Sequence, residues 1–302
     1  MEKIRIAAAQ YAIELFEHWS DYEAHLRQLV GRATADDANL LLLPEYSAMT
    51  LTGQLPTAVR SDLHLSIRQM QPLIDRWLQL CESLAQEHQI WFCPGTAPVL
   101  DSDGRFRNRS WMFGPQGLLG TQDKLIMTRF EREQWHIDSG QGLQLFDLPF
   151  GRLGIQICYD NEFPHFARQL TEAGADLILS PSCTDTRAGY YRVRRGCQAR
   201  ALENQIAMVQ SPTTGLAEWS PAVDENIGRA GVFVPPDYGM PSDGVLAESP
   251  LEHSNESHWL MTELNLAELR SVREQGQVLT RRDWPEQFDG RAELKPAVAG
   301  SA

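Results

Sequence analysis

Short apolar runs alternate along this chain with longer segments of helical period. Residues 4–10 (Ile-Arg-Ile-Ala-Ala-Ala-Gln) and 39–43 (Asn-Leu-Leu-Leu-Leu) are brief and almost continuously apolar, so they read as strands buried on both faces. Between them Tyr22, Leu26, Leu29 and Val30 recur at three- and four-residue spacing, which predicts an amphipathic helix over 19–35 with Ser20 as its N-cap. The same period predicts one long helix over 61–88, opened by Ser61-Asp62. Residues 90–98 return as a strand that Pro94 and Pro98 confine to an edge or an irregular position. Turn residues at 101–104 and 114–117 separate alternating segments and predict hairpins, the second joining 108–114 to 117–122. A charged loop over 125–135 follows, then a strand pair at 143–148 and 152–157. Helices are predicted over 163–173, stopped by Gly174, over 187–205, and near 266–275. The remaining strands fall at 175–180, 206–211, 230–234 and 257–264.

Helices alternate with strands, but hairpins interrupt the parallel pattern. The expected fold is therefore a layered α/β or α+β domain with mixed sheets covered by helices. No repeat and no linker divides the chain, so residues 1–284 are expected to form a single domain. From 285 to 302 the sequence is rich in Pro and Ala and polar, and reads as a C-terminal tail.

Composition narrows the picture. The balance of 42% apolar and 22% charged residues is that of a folded globular chain. A formal net charge of −13 disfavours nucleic acid and anionic membrane surfaces as partners. No run is long and apolar enough to span a bilayer, and the N-terminal apolar stretch is too short for a signal peptide. Five cysteines (81, 93, 158, 183 and 197), with no Cys-x-x-Cys pair, read as reduced thiols in a cytoplasmic protein without a disulfide framework or zinc site. His253 and His258 lack partners at ligand spacing, so no metal is expected.

Three placements carry candidate chemistry. Glu45 ends a buried strand, Lys124 ends a hairpin, and Cys158 stands at a strand-to-helix elbow in Gly151-Arg-Leu-Gly-Ile-Gln-Ile-Cys-Tyr-Asp-Asn-Glu-Phe-Pro164. At that elbow Asp160 and Asn161 can cap the helix opened by Pro164, and the helix N-terminus favours a thiolate. Taken singly, each has a bland reading: a loop carboxylate, a solvated lysine, a small buried thiol. Together they suffice for covalent chemistry. A cysteine can attack an acyl or nitrile carbon, a carboxylate can take its proton, and an ammonium can hold the oxyanion, with no cofactor required.

Three segments resemble motifs of the nitrilase (carbon–nitrogen hydrolase) superfamily, in the family's order: Leu-Leu-Leu-Pro-Glu45-Tyr, Gln-Asp-Lys124-Leu and Gly-Ile-Gln-Ile-Cys158-Tyr-Asp-Asn-Glu-Phe-Pro. The resemblance runs from residue 4 to about 275 and takes in Gln10 and the stretch Arg200-Ala-Leu-Glu203-Asn-Gln. It implies an α-β-β-α sandwich that pairs across a helical face into a homodimer or a larger homo-oligomer. It also implies Cys158 as nucleophile, Glu45 as general base and Lys124 as oxyanion stabiliser, with a small-molecule amide as the substrate. A second glutamate belongs between lysine and cysteine. Glu131 and Glu133 compete for that place, and the spacing to Gly140 selects Glu133. Tyr46, Trp135, Tyr159, Glu162, Ser182 and Cys183 adjoin these positions and are the expected pocket residues.

Two departures bear on substrate. Glu162 stands where many relatives carry Arg; it either faces the pocket or pairs with an arginine of the 187–200 helix. Ser182-Cys183-Thr184-Asp185 replaces small and aromatic residues, and Trp219–Asp224 is a candidate cover for the cleft. The overall pattern is similar to a bacterial branch in which some members carry a fused acetyltransferase domain, for which this chain has no room. The expected reaction is hydrolysis of a small linear amide with release of ammonia. The alternatives are an N-carbamoyl amine hydrolase, a nitrilase, or a silent scaffold with the same fold.

Overall fold

A computed structural model of the chain describes residues 2–250 and 254–290. In chain order its strands are β1 (Lys3–Ala12), β2 (Leu40–Leu42), β3 (Trp91–Cys93), β4 (Thr96–Leu100), β5 (Phe106–Gly114), β6 (Gly117–Asp123), β7 (Ile137–Asp138), β8 (Leu145–Leu148), β9 (Gly151–Ile155), β10 (Leu177–Ser182), β11 (Ala207–Leu216), β12 (Glu225–Asn226), β13 (Gly231–Phe233), β14 (Val245–Glu248) and β15 (His258–Asn265). The helices are α1 (Trp19–Ala35), α2 (Thr57–Arg60), α3 (Leu63–Gln69), α4 (Gln71–Glu87), α5 (Pro164–Glu172), α6 (Arg187–Asn204), α7 (Leu266–Gln275) and α8 (Thr280–Asp283).

The strands form two mixed sheets in the order β4-β5-β3-β2-β1 and β11-β10-β9-β8, joined where the end of β1 pairs with β11 at Tyr11↔Thr213 and Ala12↔Thr214. The alternation of side chains along β1 explains the layering. Ile4, Ile6 and Ala8 meet Leu153, Ile155, Leu177 and Val209 of the second sheet in one core. Ala7, Ala9 and Tyr11 meet Leu26, Leu29, Trp77 and Leu84 of α1 and α4 in the other. Helices α5 and α6 cover the outer face of the second sheet, with Ala167, Leu170, Val193 and Cys197 packed against it. The result is the expected α-β-β-α sandwich. Among the described residues no helix is long and apolar enough to cross a membrane.

Several boundaries differ from the sequence pattern for identifiable reasons. The expected single helix over 61–88 is two, α3 and α4. Its break falls at Met70, because Pro72 stands in the first turn of α4 and cannot continue a helix from α3. Asp62 does cap α3, accepting from the His64 and Leu65 amides. Strand 90–98 is split by a turn at Pro94-Gly95, where Gly95 has φ +86° and approaches the Pro44 carbonyl too closely for any side chain. Pro98 lies in β4, at the edge of its sheet. Beyond α7 the expected tail begins with order: residues 284–288 form a 3₁₀ turn, and Trp284 stacks under the Arg168 guanidinium at 4.9 Å. The rest of that expected tail, 291–302, and His253 lie outside the described residues.

Candidate active site

The loops after β2, β6, β9 and β10 converge on one cleft. Leucines 40–43 bury β2 completely, and Pro44 ends it, so Glu45 is delivered into the interior at 1% exposure. The next residue, Tyr46, is held at φ +58°, and Cys158 at φ +48°. Both are non-glycine residues in the left-handed region, where strain of order 1–3 kcal/mol persists only under tight surrounding contacts and gathers at functional sites. Strand β9 stops at Ile155, and Cys158 opens a 3₁₀ turn over residues 158–162 that leads into α5.

Lys124 stands at the centre, 1% exposed. Its ammonium donates to Glu45 Oε1 at 2.7 Å and to both oxygens of Glu131, Oε1 at 2.8 Å and Oε2 at 2.7 Å. The lone lysine of the sequence pattern is therefore a buried cation between two carboxylates. Glu45 also accepts from Asn108 Nδ2 at 2.8 Å and, through Oε2, from the Cys183 amide at 2.9 Å. Glu131 accepts from the Tyr46 hydroxyl at 2.6 Å and from the Thr128 amide and hydroxyl at 2.9 and 2.8 Å. The Cys158 thiol donates to the Cys183 carbonyl at 3.6 Å and lies within hydrogen-bonding reach of the Glu45 carboxylate.

The choice of Glu133 is corrected here. The stretch expected as a loop forms a π-helical turn, Glu131–Trp135. That turn aims Glu131 inward at 2% exposure and Glu133 outward, where it pairs with exposed Arg129 at 2.9 Å. A π turn also shifts the register on which the spacing to Gly140 relied.

Burial sets the protonation chemistry, and the charges then divide it. Burial, and next the Glu131 charge, holds Glu45 above the ordinary carboxylate range against the pull of Lys124. Burial would raise Glu131 too, but Lys124, Tyr46 and Thr128 bring it below that range. Burial would lower Lys124, and the two carboxylates keep it well above its usual value. Burial and the Glu45 charge push the Cys158 thiol well up, with Lys124 opposing. Desolvation at 3% exposure thus outweighs the pull of the short helix beside the thiol, and the carboxylate expected to take its proton is needed. A thiol next to a carboxylate of raised pKa can pass its proton to that carboxylate as it attacks.

A cavity of about 610 Å³ opens onto this cluster. Its wall includes Glu45, Tyr46, Lys124, Glu131, Trp135, Tyr159, Glu162 and Cys183, and the 221–225 loop closes one side; Cys158 is packed behind Glu45 and Cys183. Trp135 is fixed by its indole N–H to the Leu63 carbonyl at 3.0 Å and by ring contact with Tyr46 at 4.7 Å. Glu162 meets both expectations at once, lining the cavity while accepting from Arg192 at 3.2 Å. Ser182 does not line it. Strand β10 runs two residues further than the pattern indicated, and Ser182 is fully buried with its hydroxyl donating to the Ser180 carbonyl at 3.2 Å.

The sequence reading also assigned Asp160 and Asn161 to helix capping. Instead Asp160 accepts from the Leu125, Ile126 and Ile157 amides and ties the lysine loop to the cysteine turn. Asn161 donates to the Gln156 and Cys158 carbonyls and to Ser180 Oγ. Asn108 and Thr128 were missed altogether. Asn108 sits among Arg107, Arg109 and Ser110 on a hairpin strand, and nothing in a polar alternation marks which member turns inward.

Burial raises the Asp160 pKa to about 7 from the 3.8 of a free carboxyl. Between these values the folded protein holds a proton that the unfolded chain has released. This group's contribution to stability therefore falls as pH rises from about 4 to 7 and levels off above. Asp160→Asn removes the titration and turns an amide N–H toward backbone donors. The variant is expected to melt below wild type by a margin larger at pH 5 than at pH 8; an equal margin at both would contradict the assignment.

The chain belongs to the carbon–nitrogen hydrolase family, whose profile it matches over residues 5–231. It is an enzyme of that class. Among curated relatives it is 30% identical over 280 residues to a probable hydrolase of Bacillus subtilis, YhcX, covering 93% of this chain and 53% of that protein; the chain thus spans about half of this relative's length. An omega-amidase of Xenopus laevis is 25% identical over 235 residues, covering 74% of this chain and 77% of the relative. The fold matches that of a carbon–nitrogen hydrolase from Helicobacter pylori with a TM-score of 0.73 over 96% of each chain at 18% identity.

Proposed function

We propose that the enzyme hydrolyses a small linear amide to a carboxylic acid and ammonia through a thioester on Cys158. The single observation that carries this reading is the buried Glu45–Lys124–Glu131 cluster at the wall of an open cavity, with the Cys158 thiol beside Glu45. Relatives named as amidases, the omega-amidase among them, outnumber one named as a nitrilase, which supports the amide over the nitrile. Glu45 takes the thiol proton as sulfur attacks the carbonyl carbon. The oxyanion that forms is met by the Lys124 ammonium. Protonated Glu45 gives its proton to the departing nitrogen, ammonia leaves, and the thioester remains. Glu45 then draws a proton from water, which attacks the thioester and releases the acid and the free thiol. Glu131 gives both carboxylate oxygens to Lys124 and is itself fixed by Tyr46 and Thr128, so its part is to hold the ammonium in place. The cavity's two arginines are already engaged, Arg129 with Glu133 and Arg192 with Glu162.

The test is ammonia release from short amides, dicarboxylic acid monoamides, aminoamides, N-carbamoyl amines and nitriles, with Cys158→Ala beside wild type. Release is expected from one of the amide groups and is expected to fall to background in the variant. Release confined to N-carbamoyl amines or nitriles would overturn the amide assignment, and release that survives Cys158→Ala would overturn the nucleophile.

A further inference from the structure

A second cavity, of about 380 Å³, lies among α5, α7 and α8 and shares no residue with the catalytic one. Its wall is Arg168, Glu172, Arg273, Arg281 and Arg282, four guanidiniums against one carboxylate in a chain of net charge −13. Arg168 is only 8% exposed. Its Nε donates to Glu172 at 2.8 Å and its Nη2 to the Arg281 carbonyl at 3.5 Å, while Nη1 has no partner among the described residues. A buried guanidinium N–H without an acceptor costs free energy that a bound acceptor would recover.

The neighbouring arginines sharpen the point. Arg273 is gripped by Asp176 at 2.6 Å and Arg282 by Asp283 at 2.6 Å. Arg281 forms no ion pair among the described residues; its Nη2 donates only to the Thr171 carbonyl at 2.8 Å. Burial, and then the charges of Arg273 and Arg168, lower its pKa, as expected for a cation among cations.

We propose that this cavity is an anion site that takes a small phosphate-bearing ligand. Guanidinium forks pair well with phosphate oxygens. Donors arriving from three helices suit a tetrahedral oxyanion, whose oxygens accept in several directions, better than a planar carboxylate. Occupancy would brace α8 against α5, the helix that follows the cysteine turn.

The experiment is thermal melting and calorimetric titration of the full chain with inorganic phosphate and pyrophosphate at constant ionic strength, with acetate and chloride as comparison anions. Phosphate is expected to raise Tm with concentration where acetate and chloride do not. Arg281→Gln is expected to weaken phosphate binding by about tenfold or more, the loss of one charge-assisted hydrogen bond. Arg282→Glu, at an exposed side chain where folding is not at stake, is expected to do the same. Equal shifts from acetate or chloride, or phosphate binding unchanged in both variants, would overturn the proposal. So would a phosphate response that proves, by light scattering, to be the dissociation of a dimer, since a partner's carboxylates would then be the occupant.

Discussion

Glu45→Gln is expected to lower kcat by about 10²- to 10⁴-fold on whichever substrate the wild-type enzyme turns over, the range for loss of a general acid–base group. The side chain keeps its size and can still accept from Lys124 and Asn108, but it can no longer take a proton. In a site with a standing thiolate, such a loss could be offset by raising the pH. Here it cannot, because burial, the largest cause of the raised Cys158 pKa, persists after the Glu45 charge is gone and keeps the thiol above the usual cysteine range. The variant's rate is therefore expected to stay low to pH 9 in a stopped ammonia assay. Recovery near pH 8 would show a thiolate formed without Glu45.

Glu131→Gln and Glu133→Gln are expected to separate sharply. Glu131 supplies two of the three hydrogen bonds to Lys124 and half of its countercharge at 2% exposure. Neutralising it leaves a buried ammonium with one carboxylate and lets it swing away from the oxyanion position. A fall in kcat of about 10²- to 10³-fold is expected, in line with loss of an oxyanion donor, with KM changing far less. Removing one partner of a buried pair also costs about 3–5 kcal/mol of stability, so a lowered Tm should accompany it. Glu133 is bonded only to exposed Arg129, a surface pair of negligible worth, and Glu133→Gln is expected to stay within about twofold of wild type. Kinetics and melts of both variants decide between them, and the opposite ranking would return the role to Glu133.

What could be read in the sequence follows from how local each signal is. The strands at 4–10 and 39–43 are continuous apolar runs whose burial on both faces is written in four or five consecutive residues, and that already implies a sheet between two layers. Glu45 and Cys158 were legible because each lies just past such a strand, and Lys124, which follows a polar hairpin strand, only together with them. The inward turn of Glu131 was not, since it depends on a π turn and on the Tyr46 hydroxyl, which the tertiary fold brings to it. The same holds for Asp160. A carboxylate just ahead of a helix looks like a cap, and only the tertiary fold brings the Leu125 and Ile126 amides to it. The balance at the thiol was not legible for a similar reason: the helix beside it is local, and the desolvation that outweighs it comes from the whole cleft.

The most direct measurement is mass spectrometry of the enzyme quenched in acid during turnover of its amide, followed by mapping of the modified peptide. A covalent species heavier than the free enzyme by the substrate less ammonia, located on Cys158 and absent from Cys158→Ala, is the expected result. Turnover with no adduct in the wild type and undiminished rate in Cys158→Ala would contradict the thioester mechanism.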